Sequence, residues 1–324
     1  MNSRLMFNFY RDAGIPETDE EITFDTYRFY LKEIASILKK EYINLEGLAD
    51  HFSKTYKIKP SIHTLDEKIF RRFLVIAWNT EYLSRTNISQ EIEILKISNQ
   101  WKPIQAYYSI YSAGEAVLYA LDGSLVESHS KCLKKLNTVF AERIKISPWC
   151  YSYKGDRRGG YFSKNFPSGT SPASNLTRQN VSSVNVIATC VRAEHDNQID
   201  EFEPHKLSKT DKAEGKKKIF KKDYDPGYTT ILNFLQRLRI KSNYKDAEIF
   251  ITNGPNSYIK NFGNDLNSIV NSTLLIFELI IISRWGKDNF VNLSADYIKS
   301  FRSERLDSLP LSRRLKIYEQ LLKV

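Results

Sequence analysis

Between Trp101 and Asp122 the chain reads Trp-Lys-Pro-Ile-Gln-Ala-Tyr-Tyr-Ser-Ile-Tyr-Ser-Ala-Gly-Glu-Ala-Val-Leu-Tyr-Ala-Leu-Asp, with apolar or small residues on nearly every side of a helix. A helix without a polar face has to be enclosed by other elements. Pro103 near the start and Gly123 beyond the end mark its limits, since proline suits a first turn and glycine a helix stop. Ala113, Gly114 and Ala116 let a neighbouring helix come close, and Glu115 in that setting needs a partner or water.

Other segments carry the same period. Tyr27, Tyr30, Leu31, Ile34 and Leu38 recur at helical spacing with lysines and glutamates between them, which predicts an amphipathic helix over 25–41. Leu45, Leu48, Ala49 and Phe52 give a shorter pattern. After a break around 57–61, Thr64-Leu-Asp-Glu67 reads as a capping box before the apolar run that starts at Ile69. Ser128-His-Ser130 reads as a cap for a helix carrying Leu133, Leu136 and Phe140, with His129 a cap-region or surface histidine. A helix from about Thr229 carries Ile231, Leu232, Phe234, Leu235 and Leu238. A long apolar helix runs from about Asp265 to Arg284, stopped by Gly286, and a final amphipathic one from about Ser312 to Leu322. The expected fold class is mainly α.

Between Ser147 and Thr177 the pattern changes to prolines and glycines, among them Pro148, Gly155, Gly159, Gly160, Pro167, Gly169 and Pro172. Asp156-Arg-Arg-Gly-Gly160 brings charge and backbone freedom but lacks the ending of a phosphate-binding P-loop. Val181, Val184, Val186, Ile187 and Val191 satisfy neither a helical nor a strand period. His195, in Arg-Ala-Glu-His, reads as a surface residue. From His205 to Lys222 lysines dominate, which predicts a surface loop suited to tracking phosphates.

At 324 residues and 41% apolar, the chain has ample material for a core. A net charge of +10 favours an anionic partner such as RNA, DNA or an acidic protein. Cys132, Cys150 and Cys190 are too widely spaced for a structural zinc and read as reduced thiols, so no metal or cofactor is expected. The first ten residues lack the apolar core of a signal peptide. The greasiest run, Leu274 to Ile282, contains Glu278 and is far shorter than the roughly 20 residues of a membrane span. A cytoplasmic location without membrane contact is the expectation.

Tyr107-Tyr108-Ser-Ile-Tyr111 through Ala120, a glycine turn, Ser128-His-Ser130, and later Arg237-Leu-Arg239 with Asn243-Tyr244 together resemble the HEPN superfamily over roughly residues 88–285. The resemblance implies a helical bundle that often dimerises. In active members, an arginine and a histidine at R-x4-6-H spacing cleave RNA without metal, often in bacterial toxin or phage-defence settings. It leaves the first 85 residues or so unexplained, and the expected division is an N-terminal helical segment over 1–86 and a HEPN-like domain over 87–324 with a loop-rich insertion at about 147–225. Carried onto this chain, Arg239 would stabilise phosphorane charge, and Asn243 and Tyr244 would orient the scissile phosphate. Lys216, Lys217, Lys218, Lys221, Lys222 and Arg237 would bind RNA. The chain departs from the pattern in having Tyr244 where the histidine belongs. A non-catalytic scaffold that dimerises or holds a protein partner, packing through Ala113 and Gly114, is the alternative. A DNA-binding regulator using the two helices of 45–83 is a third reading.

Overall fold

The structure is a computed structural model and describes residues 19–57, 59–60, 64–85, 91–172, 182–203, 220–245, 247–251, 256–300 and 309–321. Among these the chain is mainly helical, with ten α-helices and one two-stranded sheet. It divides into two compact units. One comprises Pro16–Leu136 with Leu235–Val324, and the other contains Asn137–Phe234.

The larger unit opens with α1 (Asp19–Tyr42), which buries the expected stripe of Tyr27, Tyr30, Leu31, Ile34 and Leu38. Helix α2 (Leu45–Thr55) is capped by Asn44, whose side chain accepts from the Gly47 amide at 2.8 Å, and it buries Leu45, Leu48, Ala49 and Phe52. Helix α3 (Glu67–Arg85) starts later than the capping box suggests. Asp66, rather than Thr64, supplies a side-chain oxygen to the first turn, accepting from the Lys68 amide at 2.8 Å.

Helix α4 (Ile92–Asp122) is longer at its front than expected, and Pro103 lies inside it rather than at its start. Leu95, Asn99, Ala106 and Tyr107 are buried on both sides of the proline, so packing holds the helix through the one backbone donor that proline removes. It ends where Gly123 turns left-handed at φ 68° and its amide bonds the Tyr119 carbonyl. Helix α5 (His129–Thr138), which belongs to this unit up to Leu136, and α7 (Ile231–Ile240), which belongs to it from Leu235, follow; each is continued by a π-helical turn, Val139–Arg143 in the smaller unit and Lys241–Lys245 in this one. Then come α8 (Asn256–Trp285), α9 (Lys287–Ser300) and α10 (Pro310–Leu321).

Helices α4 and α8 form the centre of this unit, with α3 against α4 and α1 against α8. The boundary expected at residue 86 therefore falls inside one packed body. Helix α2 packs on α1, α8 and α10, while α3 lies along α4 and also meets α8, α9 and α10, so both helices of 45–83 are embedded among other helices of this unit. The small-residue face of α4 is also occupied internally. A Cβ on Gly114 would come within 2.6 Å of Leu136 Cδ1 and 3.4 Å of Phe277 Cε2. Gly114→Val is expected to destabilise the larger unit by about 1–3 kcal/mol through overpacking, read as a lower urea midpoint.

Charge is buried here as well. Arg314 on α10, fully buried, sends Nε to Glu278 Oε2 at 2.7 Å and Nη1 to Glu81 Oε1 at 2.9 Å. Its Nη2 reaches Glu81 Oε2 at 2.8 Å and Glu278 Oε1 at 2.9 Å, and Nη1 also meets Asn271 Oδ1 at 2.6 Å. Trp78 Nε1 donates to Glu278 at 2.8 Å, the Tyr318 hydroxyl donates to the same carboxylate, and Arg85 reaches Glu81 at 3.1 Å. The network ties α3, α8 and α10 together. By length and composition Ser257–Trp285 is apolar enough to cross a membrane, with mean hydropathy 1.7, but most of it is covered by the other helices and Glu278 within it is ion-paired.

Among the described residues of 147–225 the smaller unit holds a two-stranded sheet and a helix. Strands β1 (Ser152–Asp156) and β2 (Gly160–Lys164) pair antiparallel, with Lys154 opposite Phe162 and Gly155 opposite Tyr161. The segment whose valines fitted no period begins α6 (Ser183–Glu201), capped by Ser182. Its buried side includes Thr189, Glu194 and His195 beside Val186, Ile187, Cys190 and Val191, which breaks the apolar repeat. His195 is not a surface residue. It is fully buried, with Nε2 2.9 Å from the Gly155 carbonyl and Nδ1 2.8 Å from Thr229 Oγ1. Gln198 donates to that hydroxyl at 2.9 Å, so the threonine proton is free to go to Nδ1 and the ring is satisfied as the neutral Nε2–H tautomer. Burial lowers its pKa from the ordinary value, in keeping with that neutral form.

Candidate functional site

Three helices of the larger unit converge on a cluster of aromatic and ionisable groups. On α4, Tyr107, Tyr111 and Glu115 recur every fourth residue and share one face, with Tyr108 beside them. His129, the first residue of α5, stacks on Tyr111 with ring centroids 3.9 Å apart and planes 24° apart. It meets Tyr108 edge-on, with centroids 5.8 Å apart, and its Nδ1 lies 3.3 Å from the Tyr107 hydroxyl. Helix α7 contributes Arg239, whose Nη2 donates to the Tyr108 hydroxyl at 2.7 Å. The guanidinium carbon stands 5.3 and 5.8 Å from the Tyr108 and Tyr107 ring centroids, within cation–π range.

Electrostatics follow from this packing. Partial burial lowers the His129 pKa from its ordinary value, and the Arg239 charge lowers it further, which favours the neutral imidazole. Burial pushes the Tyr107 hydroxyl up, partly offset by Arg239 and by a hydrogen bond with Gln236 on α7. The Tyr111 hydroxyl is likewise raised by burial and donates to Glu115 Oε1 at 2.8 Å, which supplies the partner that Glu115 needs. Burial also raises the Glu115 carboxyl. Beneath them the Cys132 thiol is pushed up to about 12 by burial, which keeps it protonated and non-nucleophilic. Cys150 and Cys190 are also buried, and neither is in a disulfide.

No protein-family model matches this chain, and no curated protein or solved structure does either.

The residues singled out by sequence are distributed unevenly around this cluster. Arg239 is at its centre. Arg237 is half-buried two positions away, and residues two apart on a helix do not face each other. Asn243 is exposed in the π-helical turn that follows. The side chain of Tyr244 and the residues Lys216, Lys217 and Lys218 lie outside the described residues. Lys221 and Lys222 are exposed in a single 3-10 turn of the smaller unit. His129 was expected at a helix cap and does stand at the start of α5, but its ring turns onto the α4 tyrosines instead of outward. Its signal in the sequence is the Tyr107-x3-Tyr111 face, which a residue from another element had to cover.

The cluster presents a neutral imidazole able to take a proton, a guanidinium able to meet an anion, and phenol hydroxyls able to donate. Among the described residues no group of three or more His, Cys, Asp and Glu is placed to hold a metal ion.

Proposed function

We propose that this protein is a HEPN-like, RNA-binding, metal-independent endoribonuclease whose reactive groups are His129 and Arg239. The observation that carries the reading is the placement of a histidine of lowered pKa and an arginine on one tyrosine-lined face. The imidazole comes from α5, so the departure of Tyr244 from the R-x4-6-H pattern does not leave Arg239 without a histidine neighbour. Asn243 and Tyr244 become residues that flank the site.

The chemistry is a transesterification. His129 takes the proton of an RNA 2′-hydroxyl, the oxygen attacks the adjacent phosphorus, and the bond to the 5′ oxygen breaks. Arg239 stabilises the charge that builds on the phosphoryl oxygens, and the leaving 5′ oxygen takes a proton from solvent. The products are a 2′,3′-cyclic phosphate and a 5′-hydroxyl. Tyr108 holds the guanidinium and Tyr111 holds the imidazole, which fixes both groups before substrate arrives. The reading includes a cytoplasmic setting, a toxin or phage-defence role, and a homodimer that brings two such sites together.

Incubation of the purified chain with single-stranded and structured RNA in excess chelator tests it. Cleavage ending in cyclic phosphate, lost in His129→Ala, is the expected result. Intact RNA of both kinds, with no change in RNA binding in Arg239→Ala, would leave the non-catalytic scaffold. In that case the exposed Ile97 and Trp101, one turn apart on α4, are the surface to examine for a protein partner.

A further inference from the structure

The hairpin of the smaller unit has two unlike faces. Directly paired residues of antiparallel strands point the same way, so Tyr153, Gly155 and Tyr161 share one side, and Lys154, Phe162 and Lys164 the other. The first side is covered by α6: Arg192 lies over the Tyr161 ring at 4.0 Å, and Tyr161 meets His195 edge-on at 5.0 Å. The second side is covered at Ser152 but open around Lys154 and Phe162. Phe162 is 69% exposed on it, beside a cavity of about 470 Å³ that is also lined by Asp156, Asp225 and Tyr228.

The cavity has a definite charge layout. Lys154 and Lys164 hold their ammonium groups 4.9 and 5.0 Å from the Tyr228 ring centroid. Lys164 also donates to the Tyr228 hydroxyl at 3.0 Å, and that hydroxyl donates to Glu142 at 2.9 Å. Lys154 has no carboxylate partner among the described residues, so its charge is available to a ligand. The carboxylates have backbone partners: Asp225 Oδ1 accepts from the Gly155 and Gly227 amides at 3.1 and 2.7 Å, and Asp156 accepts from Gly159. They are thereby held in fixed orientation at the cavity wall. Gly155, at φ 118°, sits so close to the Gly160 carbonyl that a Cβ would be 2.4 Å from it, so the hairpin needs a glycine there.

We infer that this face binds one nucleotide of a single-stranded RNA, a reading that rests on the protein being RNA-binding and names a face of the smaller unit that holds RNA. An exposed aromatic ring flanked by lysines offers a stacking platform for a base and an ammonium for its phosphate. The carboxylates suit the other edge of the same ligand, because the exocyclic amino groups of adenine, cytosine and guanine are donors. A pure polyanion would be repelled by Asp156 and Asp225, and a duplex hides the base face that Phe162 needs. The turn sequence Asp156-Arg-Arg-Gly-Gly160 is thereby explained: it closes the hairpin that carries the platform.

Fluorescence anisotropy with the full chain and a labelled 2′-O-methyl RNA 12-mer tests the inference, since that probe has no free 2′-hydroxyl to be cut. Phe162→Ala is expected to weaken binding about tenfold, and Phe162→Trp to hold it near wild type. Lys154→Gln is expected to reduce the slope of log affinity against log salt by about one. Binding unchanged in Phe162→Ala, or a duplex or polyglutamate bound as tightly as the single strand, overturns the inference. Binding that depends on Phe162 in a chain that cuts no RNA keeps the inference and removes only the ribonuclease reading.

Discussion

Arg314→Met is expected to lower the unfolding free energy of the larger unit by about 3–5 kcal/mol, seen as a large fall in urea midpoint. The side chain lost is fully buried between two carboxylates that are themselves buried, Glu81 and Glu278. Removing the guanidinium leaves both without their principal counter-charge, and Arg85 alone stays near Glu81. An uncompensated charge in low dielectric costs far more than the ion pair contributes when intact. Adding Glu278→Gln in the Arg314→Met background should therefore recover part of the loss, a non-additivity that marks direct coupling. Lys54→Ala is the contrast, because the Lys54–Asp50 pair is exposed and its removal should shift stability by less than about 1 kcal/mol. An Arg314→Met midpoint within the range of that surface variant would rule out an energetic role for the network.

That network also shows why sequence reading reaches the helices before it reaches their partners. The stripe from Tyr27 to Leu38 and the set from Leu45 to Phe52 are legible because apolar side chains recur with the helix period and all of them face inward. Arg314 sits in an amphipathic helix where an arginine would ordinarily face water. Only the position of Glu81, 233 residues away, and of Glu278, 36 residues away, turns it inward. Helix α6 is obscured by the same cause: Thr189, Glu194 and His195 are buried, so its inner face is not uniformly apolar. The extent of α4 is missed for a different reason, since Pro103 marks a helix start in local terms and tertiary packing overrides it.

The candidate site divides along the same line. Arg239 and the tyrosines of α4 are found by motif and period, whereas His129 belongs to a separate helix and no spacing rule connects it to Arg239. Its contribution has a measurable signature. His129→Ala is expected to reduce RNA cleavage by about a hundredfold to ten-thousandfold, the range for loss of a positioned general base. Arg239→Ala should cost about a hundredfold to a thousandfold, as for loss of one transition-state charge donor. On the proposed mechanism the neutral imidazole is the reactive form, so activity should fall as pH drops through the His129 pKa. Burial and Arg239 place that pKa below the ordinary 6.5. Arg239→Ala removes one of those two causes and so should raise the pKa and move the acid limb to higher pH. An NMR titration reads this independently of rate: the imidazole signal absent in His129→Ala should titrate below 6.5 in the wild type and shift upward in Arg239→Ala. A signal that titrates identically in both would show that the two groups do not share a field, and the paired assignment of base and charge stabiliser would fall with it.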